Sequence, residues 1–177
     1  GLSCPNRDGR TGSGGCIFCS VGGRGDFAVS ATASCIEAQL REGSEILLRK
    51  YTGSRFVAYF QAYTNTYGPV SYLREIYTAA LILPEVAGIS VATRPDCLGP
   101  EVLSLLAELK ERFPGKFIWI ELGLQTMHEH TAAFIRRGYP LSVFEEAMAN
   151  LQALSLPVIV HVILGLPFET AEDMYAT

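Results

Sequence analysis

Short apolar runs alternate with amphipathic stretches along most of the chain. Runs rich in β-branched and aromatic residues predict strands at 55–62, 89–92, 117–124 and 158–164. The stretches between them indicate helices, and four of them begin at Gly-Pro pairs or capping residues. They predict helices at 34–51, with Ser34 and Glu37 as a capping box, and at 68–83, 99–113, 128–136, 142–154 and from Thr170 onward. This alternation is typical of βα units around a parallel sheet.

The strands also indicate the kind of sheet. They are almost continuously apolar, as strands buried on both faces are, and a polar motif lies at the end of each one, at 61–67, 93–96, 121–126 and 161–169. Parallel βα barrels build their sites at the carboxyl ends of their strands. We therefore expect an α/β fold that forms part of a (β/α) TIM-like barrel.

The two ends of the sequence fall inside this pattern. No strand precedes the glycine-rich loop predicted for residues 1–34, and residue 177 lies within a predicted helix. We interpret residues 1–177 as the incomplete core of one barrel domain that lacks its first strand and its last units. A small complete four-stranded sheet is the alternative.

Composition and charge narrow the class of protein. Hydrophobic residues make up 49% of the chain and charged residues 18%, which excludes a disordered or fibrous protein. There is no secretory signal and no apolar run near the roughly 20 residues of a membrane span. We therefore expect a cytoplasmic protein without a membrane partner.

The charge distribution bears on nucleic-acid partners. The net charge is −4, and seven of the 14 Lys and Arg lie within residues 1–55 beside only five of the 18 Asp and Glu. The whole chain lacks a general basic field, so we expect no DNA partner. A polyanion partner would depend on the N-terminal part or on residues outside this sequence.

Three of the five cysteines, Cys4, Cys16 and Cys19, lie within one glycine-rich segment. Thiolates select zinc or iron–sulfur clusters. A closed zinc site needs a fourth ligand, for which Cys35 and Cys97 remain, whereas three cysteines leave one iron of a [4Fe–4S] cluster open. From the spacing alone, a zinc-stabilised binding module, an iron–sulfur electron-transfer domain and an enzyme that uses the open iron are all possible.

Strand alternation places several polar side chains together. Glu121 and Gln125 share one face of their strand, and Gln61 and His161 lie at corresponding positions on two others. We expect these four side chains to project to one side, into the mouth of the barrel. Buried polar groups need partners, and a bound polar ligand is one source of them.

Five segments of the chain resemble the radical S-adenosylmethionine (SAM) superfamily. The usual superfamily spacing is C-x3-C-x2-C, and the eleven-residue first gap found here resembles the YhcC/YtqA-like group, which is related to the elongator catalytic subunit and to oxygen-independent coproporphyrinogen oxidase. The resemblance covers nearly the whole chain. It is carried by the cysteine segment Cys4-Pro-Asn-Arg-Asp-Gly with Gly14-Gly-Cys-Ile-Phe-Cys19, and by residues 60–67, 93–97, 121–126 and 161–167.

This resemblance implies an enzyme and its cofactors. Cys4, Cys16 and Cys19 would hold a [4Fe–4S] cluster whose open iron binds the amino and carboxylate groups of SAM. Reduction of the sulfonium would release a 5′-deoxyadenosyl radical that abstracts hydrogen from a substrate. The resemblance further implies an external electron donor of the flavodoxin or ferredoxin type, and its relatives point to tRNA wobble-uridine modification.

Residue by residue, the resemblance also implies a SAM site. In relatives with the Glu-Leu-Gly-x-Gln pattern, the Gln and an Arg twelve residues later contact SAM, which here gives Gln125 and Arg137. Where many members have Gly-Gly-Glu, this chain has Gln61-Ala62-Tyr63. The remaining candidates for cofactor binding are Thr64, Asn65, Asp96, Glu121 and Gly165.

Six of these seven candidates have a plainer interpretation. Arg137 would be a solvated cation at a helix end, and Glu121 would pair with an arginine. Asp96 would cap the helix region 100–113 instead of binding a ribose hydroxyl or orienting Arg94. Thr64 and Asn65 would be ordinary polar turn residues, and the Gly165 turn would be a common strand-to-helix connection.

Overall fold

The computed structural model describes residues 2–20, 35–53 and 55–177. The helices and strands alternate as the sequence pattern predicts. In chain order they are α1 Ile36–Leu48, β1 Phe56–Phe60, α2 Val70–Leu81, β2 Val86–Thr93, a 3-10 turn Pro95–Cys97, α3 Pro100–Arg112, β3 Phe117–Gln125, α4 Glu129–Phe134, α5 Leu141–Ala153, β4 Val158–Val162 and α6 Ala171–Ala176.

The four strands form one parallel sheet in the order β1-β2-β3-β4. Each crossover therefore moves one position in the same direction, as in a (β/α) barrel and unlike a doubly wound sheet, whose strand order reverses. The register pairs Tyr59 with Ser90, Ala92 with Glu121 and Gly123 with His161. The predicted α/β fold with part of a barrel is confirmed.

One face of the sheet packs against helices and forms the core. Burial alternates strictly along β3, where the even-numbered residues from Ile118 to Leu124 are buried. They pack with the apolar stripes of α2, α3 and α5, which bury Leu73, Leu106 and Leu151 among others. The odd-numbered residues of β3 face the other side, where Trp119 stacks on Phe117 with ring centroids 4.2 Å apart.

Several predicted boundaries differ from the structure. The helix predicted at 128–136 ends at Phe134, because Arg136 and Gly138 adopt left-handed backbone conformations with φ of 55° and 80°. Strand β2 begins three residues earlier than predicted, at Val86. Gly88 interrupts the apolar pattern there but fits the sheet, since a side chain at this position would clash with the Phe117 carbonyl oxygen.

The helix starts were predicted with mixed success. The proposed capping residue Ser34 lies outside the described residues; α1 is preceded by Cys35, whose side chain makes no capping hydrogen bond, and it ends at Leu48. The start of α6 at Thr170 is confirmed, with a capping box between Thr170 and Asp173. Among the described residues, no helix is long and apolar enough to cross a membrane.

Candidate active site

A cavity of about 240 Å³ lies on the face of the sheet opposite the helices. Its walls come from the cysteine segment, from all four strands and from the turns that follow them. The cysteines Cys4, Cys16 and Cys19 line it together with, among others, Arg7, Tyr59, Gln61, Thr64, Thr93, Arg94, Glu121, Gln125, Arg137, Tyr139 and His161.

The cysteine segment is folded by its own backbone and by Arg7. Gly14 and Gly15 take φ near 80°, which glycine adopts without strain. The Arg7 guanidinium donates to the Ser20 carbonyl over 2.7 Å and lies over the Tyr63 ring, 5.2 Å from its centroid. These contacts hold the three cysteines at the cavity with their thiols free of disulfides.

The thiols differ in their surroundings. Cys4 is buried, Cys16 is half-buried and Cys19 is exposed. Burial raises the pKa of the Cys16 thiol, while a hydrogen bond from Asn6 and the charge of Arg94 oppose that rise. Within residues 2–20, 35–53 and 55–177, no three His, Cys, Asp or Glu side chains lie close enough to bind one metal ion.

Two buried arginines flank the ring of Tyr139, with guanidinium carbons 4.8 Å and 4.9 Å from its centroid. Arg94 is paired with Asp96 through two hydrogen bonds of 2.9 Å and 2.8 Å, and it also donates to the Arg137 carbonyl. The charge of Arg94 is therefore compensated locally, next to the cysteines.

Arg137 is only 1% exposed, and main-chain oxygens hold its guanidinium. Nε donates to the Tyr139 carbonyl and Nη1 to the carbonyls of Leu124 and Thr126. Nη2 makes no hydrogen bond to any residue in the described ranges, and Glu129 Oε1 lies 3.6 Å from it. A buried N–H group without an acceptor is costly, so this atom is suited to a ligand.

Glu121 is the centre of a hydrogen-bond network that includes one side chain from each strand. Its carboxylate accepts from Ser90 of β2 and Tyr59 of β1, and it contacts His161 Nε2 of β4 at 2.8 Å. Burial alone would raise the pKa of Glu121, but these three hydrogen bonds outweigh it and lower the pKa. The carboxylate is thus held ionised in the wall of the cavity.

Comparison with known proteins identifies the family. The radical SAM superfamily matches residues 7–177, almost the entire chain. The chain belongs to the radical SAM superfamily. Members of this superfamily are enzymes that use a [4Fe–4S] cluster and SAM, and the predicted resemblance is confirmed.

Individual relatives agree with this assignment. The chain is 45% identical to YtqA of Bacillus subtilis, 41% to YhcC of Escherichia coli K12 and 39% to MJ0486 of Methanocaldococcus jannaschii. All of this chain is covered in each case, but it spans only 53–55% of the length of these relatives.

A solved structure, the archaeal Elp3 of Methanocaldococcus infernus with an N-terminal deletion, has the same fold. The TM-score is 0.62 at 18% identity, over 76% of this chain and 35% of that chain.

The candidate residues of the radical SAM site fall into two groups. Thr64, Glu121, Gln125 and Arg137 line the cavity with the cysteines. Three others do not: Asn65 donates to the Ala92 carbonyl, Asp96 is paired with Arg94, and Gly165 forms a left-handed turn after β4 with φ of 77°. Their roles toward a radical SAM cofactor stay predictions.

Some of the plainer interpretations are wrong. Arg137 is buried and not solvated, because its guanidinium satisfies three carbonyls. The partners of Glu121 are Ser90, Tyr59 and His161 instead of an arginine. Cys35, which the sequence leaves as a possible fourth zinc ligand, is exposed and does not line the cavity.

Sequence reasoning missed several residues of the site. Ser90 carried a signal, since it is a lone polar residue in an apolar strand. Asn6 lies in the cysteine segment that carries the family resemblance, but nothing in the sequence distinguished it from its neighbours there. Tyr139 carried no signal of its own. The contacts of both residues join separate segments of the chain.

Proposed function

We propose that this chain carries the SAM-cleaving site of a radical enzyme, with Cys4, Cys16 and Cys19 as ligands of a [4Fe–4S] cluster. One observation carries the proposal: the three thiols and the buried, incompletely bonded guanidinium of Arg137 line the same cavity. When bound, the cluster would supply the electron that cleaves SAM to a 5′-deoxyadenosyl radical, which abstracts hydrogen from a substrate.

The donor set fits such a cluster. Three thiolates are soft ligands of the kind that iron–sulfur clusters take. A cluster places each cysteine on a different iron atom. Cys4, Cys16 and Cys19 line one cavity, as the ligands of one cluster must.

The other walls of the cavity fit SAM. Arg137 Nη2 offers a buried, charge-assisted donor for a carboxylate. Thr64 and Gln125 are polar groups on the same wall, and we assign them to the cofactor as well. Asn65 would act indirectly by holding the Ala92 carbonyl in place, and Asp96 by holding the Arg94 guanidinium in place. Gly165 would let the backbone approach the adenine.

We assign the part of the cavity next to Glu121 and His161 to the substrate. His161 has a half-exposed side chain that faces the cavity, and its Nε2 is held by the Glu121 carboxylate. The subfamily resemblance supports a tRNA wobble uridine as the substrate, with an external flavodoxin- or ferredoxin-type protein as electron donor.

Anaerobic reconstitution tests the proposal. We expect about four iron atoms per chain, an electron-resonance signal of the reduced cluster that changes when SAM is added, and 5′-deoxyadenosine formed with dithionite. Cys16→Ala should abolish the cluster, because it removes one of only three ligands. Cys35→Ala is the matched control and should leave the cluster intact, since Cys35 lies at the start of α1 and does not line this cavity.

Two outcomes would contradict the proposal. One zinc ion per chain without iron uptake would indicate a structural zinc site. A brown, iron-loaded protein whose signal is insensitive to SAM, and which forms no 5′-deoxyadenosine, would indicate an electron-transfer domain.

A further inference from the structure

Asn6 lies between the cysteine segment and the turn that carries Arg137. Asn6 is 4% exposed, and the nitrogen atom of its side chain, Nδ2, has two partners. It donates to Cys16 Sγ over 3.4 Å and to the Arg136 carbonyl oxygen over 2.6 Å. Both hydrogens of the amide are therefore used.

The orientation of this amide follows from its partners. The Arg136 carbonyl oxygen can only accept a hydrogen bond, so the NH2 group must face it and Oδ1 must face away. Oδ1 lies against Gly12 and Gly138. A Cβ atom at Gly12 would clash with it, and one at Gly138 would come within 3.3 Å. Two glycines thus leave room for the amide oxygen.

A backbone contact joins the same two segments, because the Ile17 amide donates to the Ile135 carbonyl over 3.1 Å. Within the cysteine segment, the Gly15 amide donates to the Asn6 carbonyl over 2.8 Å. The cysteine segment is therefore fixed to residues 135–137 at two points, one on each side of Cys16 in the chain.

We propose that Asn6 is a positioning residue that sets the reduction potential of the cluster and ties the cysteine segment to the turn carrying Arg137. The effect on the reduction potential rests on the proposed function, because it concerns the cluster ligand Cys16. The attachment of the cysteine segment to the turn concerns only the protein.

The physical reason lies in the charge of the cluster. A reduced cluster carries one more negative charge than an oxidised one, and part of that charge resides on the cysteine sulfurs. Hydrogen bonds to the sulfurs stabilise the reduced form and raise the potential. Asn6 is placed to supply one such bond at Cys16.

The first experiment measures the potential. Asn6→Asp replaces the donor by an acceptor of the same shape. In the reconstituted chain we expect the reduction equilibrium to shift about tenfold toward the oxidised cluster, which is about 59 mV for a one-electron couple. Asn150→Asp in α5 is the matched control, with the same chemical change outside the cavity. An unchanged potential in Asn6→Asp at full iron content would overturn the inference.

The second measurement needs no variant that binds iron. Nitrogen-15 labelling of the asparagine side chains in the wild-type chain should give a weak nitrogen coupling to the reduced cluster in pulsed electron resonance, and this coupling should be absent in Asn6→Ala where that variant loads. If the wild-type chain takes up iron but shows no coupling, Asn6 does not bond to the cluster ligand and the inference fails.

The third measurement separates this inference from the proposed function. In the chain before iron is added, Asn6→Ala should speed hydrogen exchange of the Ile17 amide about tenfold, because the second attachment to residues 135–137 is lost. An unchanged exchange rate would overturn the inference that Asn6 attaches the cysteine segment to residues 135–137. A wild-type chain that never binds iron would refute the proposed function, while this measurement would still decide whether Asn6 holds the two segments together.

Discussion

Arg136 and Arg137 are neighbours in the chain but have opposite environments. Arg136 is exposed and takes a left-handed backbone conformation with φ of 55°, just after α4 ends. That conformation turns the chain, so the next side chain points inward. Arg137 is buried and donates to the carbonyls of Leu124, Thr126 and Tyr139.

We therefore expect the two alanine variants to differ sharply in SAM binding. A charge-assisted bond to a bound group is worth roughly 1.5–3 kcal/mol, so Arg137→Ala should weaken SAM binding about ten- to a hundredfold, as measured by titration into the reconstituted chain. Iron content should stay unchanged, because the cysteines lie on another segment. Arg136→Ala is the control and should bind SAM within about twofold of the wild type.

A second readout accompanies this prediction. Arg137→Ala also leaves buried carbonyls without a donor, so its free energy of unfolding should fall by at least about 1–3 kcal/mol. Normal SAM binding by a folded, iron-loaded Arg137→Ala, or a defect confined to Arg136→Ala, would show that Arg137 does not face the cofactor.

At these positions the sequence predicted which side chains carry chemistry but not how those side chains pack. The twelve-residue offset from Gln125 predicts a cofactor role for Arg137, because a family pattern preserves spacing. The three carbonyls that hold Arg137 could not be predicted, since they depend on where the chain turns after α4. That turn is set by left-handed residues, which no apolar periodicity reveals.

Among the elements, the four strands are linked by side chains as well as by the backbone. The hydroxyls of Tyr59 and Ser90 and the ring of His161 meet the carboxylate of Glu121. Each of the four residues comes from a different strand. This network stabilises the side of the sheet that the helices do not cover.

We expect this network to make the free energy of unfolding depend on pH in the acidic range. The folded-state pKa of Glu121 lies below its ordinary value of 4.5, so the unfolded chain binds the proton more readily. The stabilisation is therefore complete above about pH 4.5 and is lost as the pH falls through the lower, folded-state pKa. Glu121→Gln should lack this part of the acid dependence, as followed by urea unfolding between about pH 3 and 7.

Glu111→Gln provides the charge-matched control, because Glu111 is exposed near the end of α3. If it and Glu121→Gln change the pH profile equally, the effect is one of net charge and the network has no specific role.

The elements themselves were largely predictable, because parallel buried strands and amphipathic helices have distinct periods. The prediction that Glu121, Gln125, Gln61 and His161 project to one side is confirmed for the same reason. Their partners were not predictable. Whether Ser90 reaches Glu121 depends on the register between β2 and β3, and a shift of one residue would turn it to the other face.

The molecule as a whole divides at the sheet. On one side the strands pack against α2, α3 and α5, and on the other they line the cavity. Stability of the helical side and chemistry of the cavity side should therefore respond to different substitutions.

A core substitution tests this separation. Leu106 is fully buried in α3, and Leu106→Ala should lower the free energy of unfolding by about 2–5 kcal/mol through lost contacts and the cavity left behind. Iron content and SAM affinity of the folded variant should match the wild type, because distant sites act independently. A changed SAM affinity would mean that the helical core and the cavity are coupled through the sheet.

The stacked pair of Phe117 and Trp119 gives the molecule an optical probe of its own. Trp119 is the only tryptophan in the chain, and it lies on the same face of β3 as Glu121 and Gln125. Iron–sulfur clusters absorb across the range in which indole emits. Loading of the cavity should therefore quench the emission of Trp119 through energy transfer, and the emission should return when a chelator removes the iron. The fluorescence of Trp119 would therefore report whether the cavity holds a cluster.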